Sequence, residues 1–491
     1  MLKKVCTSIV LPVLLMFFGA TQAQRPNIIF ILVDDLGWSD TEVYGTTDFY
    51  KTPNIKRLAT RGMLFNQAYT TSPVCSPTRA SIMSGLHSAR LGITQARGHL
   101  KEVRMAPAHV EEEKTTRKTI QIKTATRLDT RYYTLAEALH DAGYKTAHFG
   151  KWHLGLPPYG GLEQGFDIQI PRRPGGAISK GFLAPWPALT KQGFVGKPGE
   201  HLEDRMAQEA VAFMRAHANS KQPFFLNYWA FSIHSPWSAK ADLTAKYAKQ
   251  IDALSPQRNP VYAAMVQSMD EAVGTLLDAV DELKIADNTM IIFFSDNGGN
   301  TWAPPKTEPE GYAHIPGTSN YPLRAGKGWY YEGGVRVPLA VIWPGHIKPH
   351  QRSDALVSSV DFYPTILDML KIKPQKGLVF DGQSFKSALL NKTHKRKPLF
   401  GYYPHYGLSD RIRPAIWVRR GDWKLIRFFN DNADQTDRLE LYNLAHDIFE
   451  SSNQAQRFPE IAQELNQLIN EFIKDKGVLI PKANPIYGKS T

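Results

Sequence analysis

Two uninterrupted apolar runs, each followed at once by acidic or amide side chains, constrain the fold of this chain most strongly. The runs read IIFILV at 28–33 and MIIFF at 290–294, and the side chains that follow them are Asp34, Asp35, Asp296 and Asn297. A continuous β-branched run predicts a strand that is buried on both faces, as in a parallel sheet covered by helices. We therefore predict an α/β fold with a mainly parallel central sheet.

Helical and strand patterns alternate along most of the chain. Segments near 54–61, 77–84, 135–142, 262–283 and 361–370 predict helices, and segments 146–149, 224–231 and 338–343 predict further strands. Strands that alternate with helices are typical of a mainly parallel sheet flanked by helices on both faces.

The pattern changes after about residue 392. Segments 417–420 and 423–429 flank the turn residues Gly421 and Asp422, as in a hairpin, and a strand at 439–444 precedes an amphipathic helix at 459–474. We predict a large α/β domain over 24–392 and a smaller domain, an antiparallel sheet with one helix, over 393–491.

The first 23 residues have the layout of a secretory signal peptide. Lys3 and Lys4 precede a mostly apolar stretch at 5–18, and small residues before Ala23 supply a cleavage site. The stretch contains Pro12 and is shorter than the about 20 apolar residues that a membrane span needs. We therefore expect export to the periplasm or the medium, with no stable membrane insertion after cleavage.

The composition is that of a globular protein with an excess of basic residues. Of the 491 residues, 42% are hydrophobic and 21% are charged, which excludes a disordered or polytopic membrane chain. The formal net charge of +13 favours an anionic partner. Because the basic residues are scattered and no nucleic-acid-binding motif is present, we expect an anionic substrate and no nucleic acid.

The side chains that follow the two apolar strands predict a metal site. Ligands bind outside the carboxyl ends of the strands in such sheets, and three carboxylates with one amide suit Ca²⁺ or Mg²⁺ better than zinc. The alternative is that each pair caps a helix or forms a turn. Two pairs after two buried strands favour the metal site.

The segment CSPTR at 75–79 holds the only cysteine outside the predicted signal peptide. Pro77 suits a first helical turn, so Cys75 is expected just before a helix N-terminus, where anions bind and the pKa of a thiol falls. Arg79, one turn further on, is placed to hold a charged or hydroxylated centre. The alternative is that Cys75 is only a small buried apolar residue.

The pattern Cys-x-Pro-x-Arg, followed by Ala80, Ser81, Ser84 and Gly85, closely resembles the signature of type I sulfatases. The resemblance extends along nearly the whole chain, through DDLG at 34–37, GKWHLG at 150–155, SIHSP at 232–236, SDNGG at 295–299, GKG at 326–328, EGG at 332–334 and ELYNL at 440–444. One departure is Ile233, which lies within the segment that resembles the family's Pro-His-x-Pro.

The resemblance implies an exported carbohydrate sulfatase of alkaline-phosphatase-like fold, with 24–392 as its catalytic domain. In this family the cysteine is oxidised after translation to formylglycine by a separate maturation enzyme, and the aldehyde hydrate is the nucleophile. The resemblance also implies one Ca²⁺, bound by Asp34, Asp35, Asp296, Asn297 and an oxygen of the modified Cys75.

The resemblance further assigns the catalytic side chains. Lys151 and Lys327 would hold sulfate oxygens, and His153 and Arg79 would orient and activate the hydrate. His234 would protonate the departing alcohol.

Charge and loop composition suggest the substrate. The basic balance suits a sulfated polysaccharide or a glycosaminoglycan-type sugar, and we favour a galactose or N-acetylgalactosamine sulfate. The loop at 95–133 is rich in Arg, Lys and His, and the loop at 298–325 carries Trp302, His314 and Tyr321, residue types that sugar subsites use. Ordinary solvated loops are the alternative. By resemblance to exported carbohydrate sulfatases, the segment 403–413 would close over the pocket.

Two other functions remain open. A phosphomonoester or phosphonate ester hydrolase of the same superfamily would act on a similar tetrahedral group. A Ser or Thr nucleophile with two transition metals would favour that activity, whereas Cys75 beside a single oxygen site favours the sulfatase. An inactive glycan-binding homologue would lack some motif residues, and none is missing.

Overall fold

The computed structural model describes residues 25–172, 181–304 and 306–489, so the predicted signal peptide at 1–23 lies outside the described residues. Its largest element is a nine-stranded sheet. In chain order the strands are β1 (Asn27–Val33), β2 (Met63–Tyr69), β3 (Lys145–Gly150), β4 (Ile168–Ile170), β5 (Phe224–Trp229), β6 (Thr289–Ser295), β7 (Arg336–Ile342), β8 (Gln351–Ser353) and β9 (Val357–Ser358).

The large sheet is mainly parallel. The strand order is β8-β2-β7-β6-β1-β5-β3-β4, and β9 also pairs with β2. β1 lies between β6 and β5 and is parallel to both. β7 runs antiparallel to its neighbours β6 and β2. The predicted α/β class is confirmed, with β7 as the strand that departs from the parallel direction.

Helices cover both faces of this sheet, and no helix of the described segments is long and apolar enough to cross a bilayer. The α-helices are α1 (Pro53–Thr60), α2 (Cys75–Ser84), α3 (Ser88–Leu91), α4 (Leu135–Asp141), α5 (Pro187–Thr190), α6 (Leu202–His217), α7 (Ala241–Ala248), α8 (Pro260–Glu282), α9 (Glu332–Val335), α10 (Phe362–Leu370), α11 (Lys386–Leu389) and α12 (Pro459–Lys476). Short 3₁₀ helices occur at Trp38–Asp40, Glu42–Tyr44, Leu162–Gln164, Ala286–Asn288 and Ser359–Asp361.

Strand β1 shows why its run from Ile28 to Val33 is apolar. Ile29 and Ile31 join the apolar core beneath α6 and α8, whereas Ile28 and Phe30 join the core beneath α2, α4 and α10. Every residue of β1 is buried. Because both faces are covered, each position gains the stabilisation of a buried apolar side chain, about 2 kcal/mol for a residue of this size.

A smaller antiparallel sheet follows near the C-terminus, built from β10 (Leu399–Tyr403), β11 (Ala415–Arg420), β12 (Trp423–Phe428) and β13 (Arg438–Asn443). On one face, Ile416 and Leu425 pack against α12. On the other, Trp417 and Ile426 share an apolar core with Tyr69 of β2. The predicted small sheet with one helix is confirmed, whereas the boundary near 392 stays a prediction.

Several elements have weak sequence signals and were not predicted. Strand β2 contains Asn66 and Gln67, which are only partly buried. Helix α6 begins after His201, whose Nδ1 accepts a hydrogen bond from the Glu203 backbone and replaces the usual Ser, Thr or Asp cap. The remaining two-residue strands are Ala108–His109, Thr119–Ile120, Ile122–Lys123, Trp237–Ser238, Thr307–Glu308 and Lys482–Ala483.

Candidate active site

The two polar pairs meet at one end of the central sheet. β1 and β6 are parallel, with Val33 opposite Ser295, so the residues that follow them are neighbours. The Asp35 backbone N–H donates to Asp296 Oδ1 at 3.2 Å, and Asn297 Nδ2 donates to Asp35 Oδ1 at 2.8 Å. Both pairs are fully buried. This arrangement follows from strand register and places three carboxylates in one small volume.

Helix α2 brings Cys75 to the same place. The backbone is extended at Val74 and helical from Cys75 onward, so the helix begins two residues earlier than the sequence predicts. One potential ligand atom from each of four residues lies within 4.8 Å of the others: Asp34, Asp35, Cys75 and Asp296. Cys75 therefore lies within the carboxylate cluster.

The surroundings of the Cys75 thiol oppose its ionisation. Burial raises the pKa of Cys75 well above its ordinary value, and the charge of Asp34 raises it further, against the opposing effect of Lys151. Desolvation and the neighbouring carboxylate therefore oppose the lowering of this pKa that a helix N-terminus favours. Since the thiolate is the reactive form of cysteine, the unmodified side chain is a poor nucleophile here.

Arg79 and Lys151 supply buried positive charge. Arg79 Nε and Nη2 lie 2.8 and 2.7 Å from Asp296 Oδ2, and Nη1 donates to the Lys151 carbonyl at 2.6 Å. Lys151 Nζ donates to Asp34 Oδ2 at 2.5 Å. The guanidinium also lies over the Trp229 ring, with Cζ 5.2 Å from its centroid. Fully buried ions are tolerated only when paired, and here each cation contacts a carboxylate.

Lys327 contributes a further ammonium group from the loop that precedes α9. Its Nζ donates to Asp35 Oδ2 at 2.7 Å, while its backbone N–H donates to the Gly299 carbonyl at 3.0 Å. The next residue, Gly328, has φ of 87° and donates to the Pro73 carbonyl at 2.9 Å. Glycine takes this left-handed conformation at little steric cost. The loop is thus fixed both to the end of β6 and to the segment before Cys75.

The pKa of Asp35 reflects this cationic environment. Burial alone would raise the pKa of Asp35, but Lys327, His234 and Lys151 together hold it below its ordinary value. Burial likewise works against the charge of Lys327, yet Asp35 keeps the pKa of that ammonium group above its ordinary value. The Asp35–Lys327 pair is therefore ionised.

His153 is held in an unusual backbone conformation beside the cluster. Its φ is 58°, and its carbonyl accepts a hydrogen bond from Ser76 Oγ at 2.7 Å. Nε2 lies 2.9 Å from His99 Nδ1, whereas the buried Nδ1 has no hydrogen-bond partner among the described residues. Burial, followed by the charge of Lys151, lowers the pKa of His153 well below its ordinary value. The lowered pKa favours the neutral ring, and Nδ1 is an acceptor when Nε2 donates to His99.

His234 approaches Cys75 from another loop. A ring nitrogen of His234 lies within 4.8 Å of ligand atoms of Asp35 and Cys75, and Nδ1 lies 2.5 Å from the Ser235 carbonyl. Burial and the charge of Lys327 lower the pKa of His234 to about 3. The segment is anchored by the Asp34 backbone N–H, which donates to the Ser232 carbonyl at 2.9 Å.

The donor set fits a divalent cation. Asp34 Oδ1 and Asn297 Oδ1 are buried and have no hydrogen-bond partner in the described part of the chain, a cost of about 1–3 kcal/mol for each such atom. Burial and the charge of Asp34 raise the pKa of Asp296 to about 6, a sign of crowded carboxylates. A cation among these oxygens would partner both free atoms and relieve the repulsion, and oxygen donors are those that Ca²⁺ and Mg²⁺ prefer.

The structure brings together at this one site the ten residues predicted for catalysis and metal binding: Asp34, Asp35, Cys75, Arg79, Lys151, His153, His234, Asp296, Asn297 and Lys327. Sequence reasoning missed His99 and Trp229. His99 belongs to no motif, and its only signal is the basic character of the loop at 95–133. Trp229 reads as an ordinary strand residue, and only its contact with Arg79 marks it.

Comparisons with known proteins agree with this geometry. The family model described as Sulfatase matches residues 26–372, and one described as N-sulphoglucosamine sulphohydrolase, C-terminal, matches residues 325–475. The chain is 33% identical to N-acetylgalactosamine-6-sulfatase of Sus scrofa, over 83% of this chain and 75% of the relative. It is 30% identical to human arylsulfatase A, over 92% and 88% respectively.

Solved structures show the same fold. The crystal structure of Ps i-CgsB in complex with k-i-k-neocarrahexaose has a TM-score of 0.74 and 26% identity, covering 91% of this chain and 93% of that one. PsFucS1 sulfatase from Pseudoalteromonas sp. has a TM-score of 0.68 and 25% identity, with coverage of 94% and 93%. With a family model that spans most of its length and relatives similar over most of theirs, the chain belongs to the sulfatase family and is a sulfuric ester hydrolase.

Proposed function

We propose that this protein is an exported, Ca²⁺-dependent sulfatase that removes sulfate from carbohydrates through a formylglycine formed from Cys75. The observation that carries the proposal is the position of Cys75, buried among carboxylates that are themselves paired with Arg79, Lys151 and Lys327. Hydrolysis of an anionic ester needs fixed positive charge around a nucleophile. Because the thiol itself is held protonated, the proposal includes its conversion by a separate maturation enzyme.

The substrate class is supported by charge and by the relatives. The net charge of +13 favours a polyanion. One relative is named for N-acetylgalactosamine 6-sulfate, and one structural neighbour was solved with a neocarrahexaose. We favour sulfate on a galactose or N-acetylgalactosamine residue of a sulfated polysaccharide or glycosaminoglycan.

Two groups added to the chain would supply chemistry that its ordinary side chains lack. Ca²⁺, held by Asp34, Asp35, Asp296 and Asn297, would stabilise negative charge on a sulfate oxygen. A hydrated aldehyde at position 75 would supply one hydroxyl for attack on sulfur and a second hydroxyl whose deprotonation releases sulfate.

The cations of the site are arranged before substrate binds. Lys151 Nζ and Lys327 Nζ are each held by a carboxylate at 2.5 and 2.7 Å, so both can hold sulfate oxygens without reorganising. Arg79 is fixed by Asp296 and orients the group at position 75. The ion pairs thus hold these cations in place. The substrate then brings its negative charge to a site that already presents several N–H donors.

The two histidines divide the proton transfers. His153 lies beside position 75 and its Nδ1 has no partner among the described residues, so this nitrogen would accept the proton from a hydroxyl at position 75 when Nε2 carries the ring proton. His234 is the donor to the departing alcohol. Burial and then the charge of Lys327 lower its pKa, and a bound sulfate would offset the Lys327 charge and so favour the protonated ring.

Production with and without a formylglycine-generating enzyme tests the proposal. Mass spectrometry of the Cys75 peptide should show a loss of about 18 Da only in the matured protein. Sulfate release from sulfated saccharides should follow that conversion and disappear in the Cys75→Ala variant, whereas the matched phosphate esters should react far more slowly. Conversion without sulfate release would contradict the sulfatase mechanism, and faster phosphate release would support the phosphoesterase alternative.

Export is the remaining part of the proposal. The segment at 1–23 has the n-region, apolar core and cleavage site of a signal peptide. N-terminal sequencing of protein recovered from periplasm or medium should begin close to residue 24. Recovery of the intact N-terminus in the cytoplasm would contradict export.

A further inference from the structure

A cavity of about 420 Å³ is lined by the loop that carries His99. Its lining is mostly polar and includes Gln95, Arg97, Arg104, Gln121, Lys123 and His405, together with the carboxylate of Glu102 and a few apolar side chains. The first five belong to the basic loop at 95–133, and His405 follows β10 of the small sheet. The volume is within the usual range for a small-molecule site, and the polar lining suits a hydrated or charged ligand better than an apolar one.

Arg97 carries the free positive charge of this cavity. Arg104 is paired with Glu102, and Lys123 Nζ lies 3.3 Å from Glu111. Arg97 is exposed, and within the described segments its side chain has neither a hydrogen bond nor an ion pair. A guanidinium presents a planar set of donors that matches the oxygens of a sulfate or a carboxylate. The cavity therefore offers an unused anion-binding group.

His405 adds a buried imidazole to the same cavity. The side chain is 1% exposed, its Nε2 lies 2.8 Å from Thr94 Oγ1, and its Nδ1 has no hydrogen-bond partner in the part of the chain that the structure describes. Burial and the charge of Arg97 lower the pKa of His405 to about 3, so the ring is neutral. When the Thr94 hydroxyl donates to Nε2, Nδ1 carries the proton and is available to an acceptor.

The cavity lies close to the catalytic residues. Arg97 is two positions before His99, whose Nδ1 is 2.9 Å from His153 Nε2. The Cα atoms of Arg97 and His99 are therefore at most about 7 Å apart. A Cβ at Gly98 would lie 2.0 Å from the His153 carbonyl, so the chain passes directly against His153. Tyr403 at the end of β10 lies within electrostatic reach of both Arg97 and Lys327. The loop that carries Arg97 therefore lies against the catalytic residue His153.

We propose that this cavity is a subsite for a second anionic group, a sulfate ester or a uronate carboxylate, on the sugar linked to the residue that carries the reacting sulfate. The proposal rests on the proposed carbohydrate sulfatase function. Arg97 binds the anion through two parallel N–H donors, and His405 Nδ1 supplies a third. The enzyme then prefers anionic oligosaccharides over single sugars and over oligosaccharides with a neutral neighbour.

Matched disaccharides test the subsite. Each disaccharide contains the sulfated sugar that the wild type desulfates. This sugar is linked to a neutral hexose, to a uronic acid or to a sulfated hexose. We expect kcat/KM to be at least about tenfold higher with one of the anionic neighbours, and Arg97→Gln to reduce that ratio about tenfold. Arg97→Lys should keep part of the preference because it keeps the charge. The anionic disaccharide whose kcat/KM falls in Arg97→Gln identifies the anion.

The control is Arg215→Gln, an exposed arginine of α6, which should leave the ratio unchanged. A ratio that is the same in Arg97→Gln and the wild type would overturn the proposal, as would a wild type with no preference for an anionic neighbour. Calorimetric binding of the same disaccharides to Cys75→Ala protein separates the subsite from catalysis. If Arg97→Gln removes the preference for the anionic disaccharide in this binding measurement, the subsite is supported even when the matured enzyme releases no sulfate. Absence of sulfate release would contradict only the proposed function.

Discussion

His99 Nδ1 lies 2.9 Å from His153 Nε2, so one hydrogen bond joins two imidazoles that are 54 residues apart in sequence. Burial lowers the pKa of both rings, aided by Arg97 for His99 and by Lys151 for His153. Two neutral rings at this distance share a single proton. When His153 Nε2 donates it, the buried Nδ1 of His153 is an acceptor that faces no other protein group in the described chain.

Substitution of His99 should change turnover through the tautomer of His153. Asparagine places an oxygen where His99 Nδ1 lies and keeps the acceptor, so His99→Asn should retain most of kcat. His99→Leu removes the acceptor and should lower kcat about 10- to 100-fold, the usual effect of losing a group that orients a functional histidine. KM should change little in both. Nitrogen NMR of labelled histidine measures the tautomer directly, and equal kcat in the two variants would contradict this role.

Removal of Ca²⁺ should destabilise the protein through its carboxylate cluster. At a Ca²⁺ concentration 100-fold above Kd, binding adds about 2.7 kcal/mol to the free energy of unfolding, and chelation should remove it. Asp296→Asn should weaken this response because it deletes one buried carboxylate. The matched control is Asp287→Asn, an exposed acid away from the cluster. Thermal unfolding with and without Ca²⁺ measures the effect. A wild-type unfolding midpoint that does not change with Ca²⁺ would contradict the metal site.

Lys424 joins the small sheet to helix α9, which leads directly into β7, through a buried ion network. Its Nζ lies 3.0 Å from Glu332 Oε1 and 2.9 Å from Glu450 Oε1, and all three side chains are fully buried. Lys424→Met leaves two buried carboxylates without their shared cation and should lower the free energy of unfolding by about 3–5 kcal/mol. Urea unfolding measures the loss.

A second substitution separates charge from packing in this network. The double variant Lys424→Met with Glu450→Gln carries one buried charge fewer and should recover part of the stability. Lys246→Met, on exposed helix α7, is the matched surface control. A double variant less stable than Lys424→Met alone would show that packing, not charge, causes the loss.

His201 should make the protein sensitive to acid. Burial lowers the pKa of His201 to about 3, below its value near 6.5 in the unfolded chain. The unfolded chain therefore binds the extra proton, so this contribution to stability is complete above about pH 6.5 and is lost as the pH falls toward 3. Asparagine keeps an acceptor for the Glu203 N–H but cannot titrate.

Between pH 7 and pH 4.5, the wild type should lose about 2.5 kcal/mol more of its free energy of unfolding than His201→Asn does. Urea unfolding at the two pH values measures this difference. His446→Asn, at an exposed position, should behave as the wild type does. Equal acid sensitivity of the wild type and His201→Asn would refute the assignment.

Much of the large sheet could be predicted because its signals are local. The apolar run of β1 and the acidic pair after it lie within nine residues, and the same holds for β6. The run is apolar because helices cover both faces of the sheet. The acidic side chains come directly after it because the carboxyl ends of the strands form the ligand-binding edge of the sheet. Strand β2 gave no such signal, since Asn66 and Gln67 interrupt its apolar pattern.

The candidate site likewise contains some residues that local sequence motifs identify and others that no motif identifies. Cys75, Arg79, Lys151 and His153 stand in short motifs that can be recognised one at a time. His99, Arg97 and His405 stand in none, and their roles depend on which loop lies against which strand. The raised pKa of Cys75 is another case, because a helix N-terminus by itself would lower it and only burial beside Asp34 reverses the sign.

The sequence by itself determined the α/β class, the sulfatase motifs and the residues at the strand ends, since hydrophobic period and short-range spacing are written along the chain. Tertiary structure alone decided the antiparallel direction of β7, the His99–His153 hydrogen bond, the cavity beside Arg97 and the buried Lys424 network. Each of these joins residues that are far apart in sequence. Such contacts depend on loop paths and packing, which no local pattern encodes.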